Sequence, residues 1–560
     1  LKRGLTIVLI MSVFFICTGT AASEDSSPAA EISDQAQKAH DQTPAVLPPI
    51  EENETQLSSV GKVYVKKFKL EGNAIFSDED LTPITSPYEG REITAEELQE
   101  VKNKLSGYYY VNGYVNSGAI IPDQKVENGI ILLNIIEGKL SQTEISENTW
   151  LRTGYILSRL DLATKDGKLP FNVNVMQDHL KLLKQDPRVK NIHADFAPGL
   201  ERGEGILNVQ VEEARPYHLT LRFNNHNSPS IGPYRGEAEL QHLNLTGWGD
   251  SLTAQYALTE GLDDYSVNYT VPLTRRDTTL SFDFDRSESV VVSEAFEELD
   301  IKSDTTTYAA ALRHPFYKSL SSEFAMGIRF EKRHTETSLL GRGFAFPDSG
   351  ADEETGETDF TMIRFSQEWV NRSLVQVVAA YSSVNMGNVD EGKYEGGFFT
   401  WVGQFQWLRR LRLFNSQLLF SLNMQLSDSS LISAEKFAIG GSSTVRGYRE
   451  NQMTPDNGLT TYLEWRIPVM QLKIPGLSKG PNDGTFQLCP FFDFGKGWNT
   501  ESNDPDPDNI YSAGIGARWS VNERISAEIY WGESLKDVEE SGEYDIQDDG
   551  VHFQINVGLF

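Results

Sequence analysis

The stretch YSAGIGARWSV, residues 511–521, sets the reading of this chain. Tyr511, Ala513, Ile515, Ala517, Trp519 and Val521 fall on one parity, and Ser512, Gly514, Gly516, Arg518 and Ser520 on the other. A period of two is the signature of a strand with one apolar and one polar face. The pattern returns in VHFQINV (551–557), where Val551, Phe553, Ile555 and Val557 alternate with His552, Gln554 and Asn556. It returns again where Leu418, Phe420, Leu422, Met424 and Leu426 run against Ser421, Asn423 and Gln425. Lipid on one side and a wet lumen on the other would produce it, and so would a soluble sandwich.

Counting separates the two. From Tyr217 onward helical periodicity disappears. About 16 alternating segments fit into the last ~345 residues, roughly 21 residues for a strand and its connection, as expected of a closed membrane barrel with an even strand number. Trp401, Trp407, Trp498, Trp519 and Trp531 stand near segment ends, where interfacial girdles collect aromatics. The expected fold is therefore a membrane β-barrel of about 16 antiparallel strands over residues 216–560. Phe560 gives the last strand an aromatic finish, but it is out of phase with Phe553, Ile555 and Val557, and Gly558 holds the third-from-last place. A bulge or frayed end is expected there.

Composition agrees with this reading. Mean hydropathy is −0.39 and 39% of residues are hydrophobic, values a barrel shares with soluble proteins because only alternate residues meet lipid. The net charge of −30 argues against a nucleic-acid surface, which needs basic clusters. With only Cys17 and Cys489 there is neither a disulfide framework nor a cysteine-based zinc cluster.

Upstream, Lys2, Arg3, the apolar run 5–17 and the small residues Ala21, Ala22 and Ser23 form an export signal, residues 1–22. Ile16 before Cys17 argues against lipidation, and an uncleaved anchor is the alternative. Residues 23–61 read as a polar linker, with a weakly patterned helix near 31–41. Residues 62–140 read as a small α/β module. Thr94 and Glu97 make a capping box, Leu98, Val101 and Leu105 recur at helical spacing, and Asn128-Gly129 marks a hairpin between 120–124 and 130–137. Residues 141–215 repeat the order loosely, with a helix through Val175, Met176, Leu180 and Leu183 and strands at 189–196 and 206–213.

Two short motifs sit in the barrel half. Val445-Arg446-Gly447-Tyr448 lies in a long connection without alternation, and Phe491-Phe492-Asp493-Phe494-Gly495 has the form F-x-D-x-G. Leu488, Pro490, Phe492 and Phe494 share one parity; Gln487, Cys489, Phe491, Asp493 and Gly495 share the other, which puts Asp493 in the lumen if the first set meets lipid. On the residues alone, an exposed-loop Arg unrelated to a wet lumen Asp explains them too. Together, in order and in this architecture, the motifs resemble the outer-membrane transporters of two-partner secretion (TpsB, the haemolysin-activator type). These belong to the superfamily that also inserts outer-membrane proteins. The segments YRGEAELQHLNLTGWGDSLT and YSVNYTVPL resemble the start of that family's barrel.

The resemblance makes the two modules POTRA domains in the periplasm, and it implies that a helix in the linker 23–61 plugs the lumen. It implies that the loop folds back into the barrel, that Arg446 meets Asp493, and that Phe491 and Tyr448 pack around them. Gly447 would allow a tight turn beside the wall. It also implies a translocation channel in the outer-membrane lipid, whose partner is an unfolded secreted exoprotein docking on the POTRA modules. No ATP is expected, no cofactor or metal, and no catalysis. The sequence has no G-x-S-x-G, phosphate loop or dinucleotide fingerprint. Asp504, Asp506 and Asp508 lack the Gly and Glu of a calcium loop and read as solvated. The alternatives are an assembly factor that inserts other barrels, and a small-solute pore, which would leave the modules without a task.

Overall fold

A computed structural model describes residues 61–390, 395–538 and 543–560. The export signal with Cys17, and nearly all of the linker with its plug helix, lie outside the described residues. The described chain forms two compact units that divide between Arg215 and Pro216.

In the first unit, the first module pairs strand Lys67–Glu71 in parallel with Ile130–Ile136, which pairs antiparallel with Gly118–Ile120. Helices α1 (Asp78–Thr85) and α2 (Ala95–Val111) cover it. Leu81, Val101, Leu105, Tyr109, Ile131 and Leu133 form its core, Val101, Leu105 and Tyr109 from one stripe of α2.

The α2 capping box closes as the sequence indicates. Thr94 Oγ1 accepts from Glu97 N–H at 3.2 Å, and Glu97 Oε2 accepts from Thr94 N–H at 2.9 Å. The bond from the Thr94 backbone N–H first, and then one from Arg91 Nη1 to Oε1 at 2.8 Å, hold the Glu97 carboxyl below its ordinary 4.5. A depressed carboxyl stabilises the fold above its unfolded value, and that contribution is lost as pH falls through the folded one. Thr94→Ala is expected to weaken this end of α2 by ~1 kcal/mol. Hydrogen exchange in residues 95–98, corrected for its intrinsic pH dependence, should rise in the variant, and in the native protein on acidification below pH 4.5. Unchanged exchange in both cases would show that tertiary packing alone holds the helix end.

The Asn128-Gly129 hairpin is realised only in part. Both residues have positive φ, +55° and +73°, and Ile130 N–H reaches Glu127 O at 3.1 Å, so the turn forms. The arm before it is a single bridge, and the antiparallel partner strand is Gly118–Ile120 rather than 120–124. Pro122 has no N–H to give, and the Gln124 side chain takes the place of backbone by donating to Leu132 O at 2.8 Å and accepting from Leu132 N–H at 2.7 Å.

The second module pairs Lys139–Ser146 in parallel and Val189–Pro198 antiparallel with Glu204–Glu213. Its helices are α3 (Thr153–Leu160) and α4 (Val173–Lys184). Bonds from Val173 N–H to Gly113 O (2.9 Å) and Phe171 N–H to Gly138 O (2.8 Å) tie the modules together. Asn116 Nδ2 adds one to Gly203 O at 2.9 Å.

The second unit is a closed antiparallel barrel. Among the described residues, sixteen long strands run from Tyr217–Asn224 to Val551–Gly558, with the two-residue strand Arg342–Gly343 as an appendage, and the last strand pairs with the first. Alternation sorts the wall as expected: Phe492, Ile515 and Trp531 are about half exposed on the outside, while Cys489, Phe491 and Asp493 are buried inside. The last strand ends at Gly558; Leu559 N–H bonds Leu219 O at 2.8 Å and the Phe560 ring meets Tyr217 edge-on. Among the described residues no helix is long and apolar enough to cross a membrane.

Candidate functional site: a re-entrant loop pinned to the barrel wall

Residues 428–456 join strands Gln417–Ser427 and Asn457–Gln471. The connection returns into the barrel instead of standing in solvent. At its base Leu431 and Ile432 are buried against Phe360, Met362, Val389 and Phe398. Glu435 is held there by Arg364 Nη2 at 2.9 Å. Further along, Ile439 and Met453 exchange backbone bonds of 2.8 and 2.9 Å, which closes a tip of residues 440–452. The tip carries its own bonds: Thr444 Oγ1 lies 2.9 Å from Gly440 N and Gly440 O, and Ser442 N–H and hydroxyl reach Glu450 at 2.7 and 2.6 Å.

The tip brings Arg446 onto the strand Thr485–Trp498. Arg446 Nε donates to Asp493 Oδ2 at 2.8 Å, Nη2 to Oδ1 at 2.9 Å, and the Arg446 backbone N–H to Oδ2 at 3.0 Å. This is the planar two-point match that favours Arg over Lys at a carboxylate. The remaining Nη1 donates to Glu464 on the neighbouring strand. Glu464 also accepts from Arg466 Nε at 2.8 Å and sits 3.3 Å from the Tyr530 hydroxyl. Arg446, Asp493 and Glu464 are 5%, 0% and 2% exposed. Two guanidinium groups and two carboxylates balance, which is what permits such burial. The Phe491 ring lies under the guanidinium, 3.7 Å from centroid to Cζ, with Tyr530 at 4.7 Å, so cation–π attraction adds to the pair.

The sequence pointed to Val445, Arg446, Gly447, Tyr448, Phe491, Asp493 and Gly495. The structure gathers these residues at one place and gives Tyr448 backbone partners. Its ring is buried with Ile439, Val445, Met453 and Ile510, and its hydroxyl is 3.0 Å from the carbonyl oxygens of both Tyr511 and Lys536 and accepts from Lys536 N–H at 3.2 Å. Val445 is fully buried with Ile439 and Ile510. Gly495 leaves the wall bare beneath them, since a Cβ there would stand 2.4 Å from Ile439 Cγ2 and 2.9 Å from Val445 Cγ2. Gly447 has φ +94°, and a Cβ would meet Gly532 O at 2.9 Å.

Glu464, Arg466 and Tyr530 were missed. Their only signal is parity: in Asn457–Gln471 the lumen side runs through Thr460, Tyr462 and Glu464, so a carboxylate beside Asp493 could have been placed by register.

A model of the haemolysin secretion/activation protein family (ShlB/FhaC/HecB) matches residues 203–519, more than half of the chain. The chain belongs to this family. A ShlB-type POTRA domain matches residues 63–138. Among characterised relatives, the heme/hemopexin transporter protein HuxB of Haemophilus influenzae is 22% identical over 421 residues, 71% of each chain. The outer membrane transporter CdiB of Dickeya dadantii (strain 3937) is 20% identical over 479 residues, 81% of this chain and 80% of that one. In fold, the chain superimposes on the solved CdiB from Escherichia coli with a TM-score of 0.65 at 16% identity, covering 95% of this chain and 99% of the other. This is a TpsB-type outer-membrane transporter, with POTRA modules on the periplasmic side. The family is one of transporters and not of enzymes.

Proposed function

We propose that this TpsB-type protein recognises one partner exoprotein in the periplasm and passes it unfolded through the barrel without ATP. In this division residues 1–22 are the export signal, 23–61 the linker with a plug helix, 62–140 and 141–215 the docking modules, and 216–560 the channel in outer-membrane lipid. The carrying observation is the re-entrant loop, whose tip is pinned to the wall by a buried ion pair beside a small apolar cluster of Ile439, Val445, Tyr448, Met453 and Ile510. A plug held this way can be released and reformed, and Arg446 with Asp493 forms its latch. Directionality comes from folding of the exoprotein outside.

Docking uses strand addition, in which backbone bonds give affinity and side-chain pockets give specificity. Candidate edges are Lys139–Ser146 and Val189–Pro198, each of which pairs on one side only within its three-stranded sheet. Binding of the exoprotein's N-terminal domain to the full-length transporter is expected to slow amide exchange at least tenfold in one of these strands. Protection confined to the barrel loops would remove the docking reading.

The test of the whole is gene deletion followed by mass spectrometry of supernatant and cell surface. Loss of one or a few large proteins, with outer-membrane barrels at normal levels, is expected. A general fall in barrels with the secreted set intact would replace it with the assembly-factor reading.

A further inference from the structure

The closure between the last strand and the first is the shortest ladder between long strands among the described residues. It holds five residue pairs, Thr220↔Gly558 to Asn224↔Gln554, against seven or more in the others. Beyond Asn224 the ladder is continued by one backbone bond, Asn225 N–H to Phe553 O at 3.4 Å, and by a side chain. Asn225, fully buried, donates from Nδ2 to Val551 O at 2.8 Å and accepts at Oδ1 from Phe553 N–H at 2.8 Å.

Gln547, in the connection before the last strand, is also fully buried. Its Nε2 donates to Asn225 O and to Asn227 O, both at 2.8 Å. Its Oε1 accepts from the Glu450 backbone N–H at 3.0 Å, and Glu450 belongs to the re-entrant tip. One donor and two acceptors on opposite sides leave the amide a single orientation. Next to it, Arg449 of the tip grips Asp548, Nη2 to Oδ2 at 2.7 Å, and reaches Glu543 O at 2.6 Å. The tip therefore carries the connection that holds the seam.

We infer that the Gln547 side chain braces the barrel closure against the loop tip, so that the tip is a closure element as well as a plug. When the tip leaves the wall, Glu450 N–H and the Arg449–Asp548 pair go with it. Gln547 then loses its anchor, and the seam is left to its five pairs and the flanking Asn225–Phe553 and Leu559–Leu219 backbone bonds. Displacement of the plug and loosening of the seam become one event, which lets the lumen widen around a passing chain. That consequence rests on the latch reading above; the brace itself does not.

The test is hydrogen exchange of the full-length protein in detergent, alongside single-channel conductance. Gln547→Met, close in volume and without the amide, is expected to raise exchange in residues 217–227 and 551–558 at least tenfold and to leave residues 322–339 unchanged. Gln547→Glu keeps the acceptor for Glu450 N–H but turns a carboxylate toward two carbonyls, and is expected to do the same. Arg446→Ala is expected to raise conductance and seam exchange together. Native seam exchange in both Gln547 variants overturns the brace. An open channel in Arg446→Ala with native seam exchange overturns the brace and leaves the latch standing. Native conductance in Arg446→Ala with a freed seam in Gln547→Met does the reverse.

Discussion

Replacing Arg446 by alanine is expected to open the channel. The closed loop would keep the Asp493 and Glu464 carboxylates out of water, with the Arg466 guanidinium bonded to Glu464 but the bonds from Arg446 to both carboxylates gone. Breaking a buried pair in this way costs ~3–5 kcal/mol, because the remaining charge stays desolvated. The whole of that penalty falls on the plugged state, since a displaced tip admits water to both carboxylates. Open-state occupancy in planar bilayers should therefore rise by two orders of magnitude or more. Lysine at 446 would restore charge but not the two parallel bonds to Asp493, and should recover only part of the closure. Glu464→Gln tests the second partner: Nη1 keeps a weaker acceptor, so a smaller rise is expected. Wild-type conductance in Arg446→Ala would mean that the pair is wet and worth under ~1 kcal/mol, and the latch would be abandoned.

The second large effect is steric. Gly447→Val leaves every charge in place and removes the room the tip needs. Its φ of +94° belongs to the region in which a side chain, and a β-branched one above all, is strained, and its Cβ would stand 2.9 Å from Gly532 O. Strain of ~1–3 kcal/mol adds to an overpacking cost of similar size. Gly532 cannot retreat, because its own N–H is bonded to Gly550 O at 2.9 Å. The tip is expected to leave the wall and conductance to rise as in Arg446→Ala, although the ion pair is chemically intact. Gly447→Ala should show a weaker version of the same result. Closed channels in both variants would show that the backbone at 447 can move without taking Arg446 away from Asp493.

Local pattern made much of this molecule legible. The alternation in residues 511–521 and 551–557 reports two different environments on the two faces of one strand, and it holds for the whole wall because every strand meets lipid outside. Spacing over about 345 residues then led to sixteen strands. The α2 capping box and the Asn128-Gly129 turn were readable because their bonds close within three or four residues. The short helix α3 was not read. Its apolar positions, Tyr155, Ile156 and Leu160, span barely two turns, too few for a period to show.

What the sequence by itself determined is which faces are apolar, where the chain turns, and which family's motifs it carries, all of them properties of neighbours along the chain. Only the tertiary structure decided that Arg446 serves two carboxylates, that the Tyr448 hydroxyl holds backbone at Tyr511 and Lys536, and that Gln547 joins the loop tip to the closing strands. These contacts span from 18 residues, Arg446 to Glu464, to 322, Gln547 to Asn225. The physical reason is that a glutamine in a connection or a glutamate in a strand looks the same in sequence whether its partner is water or a buried group. Burial is created by the loop folding back, and that loop has no periodicity of its own to announce where it will lie.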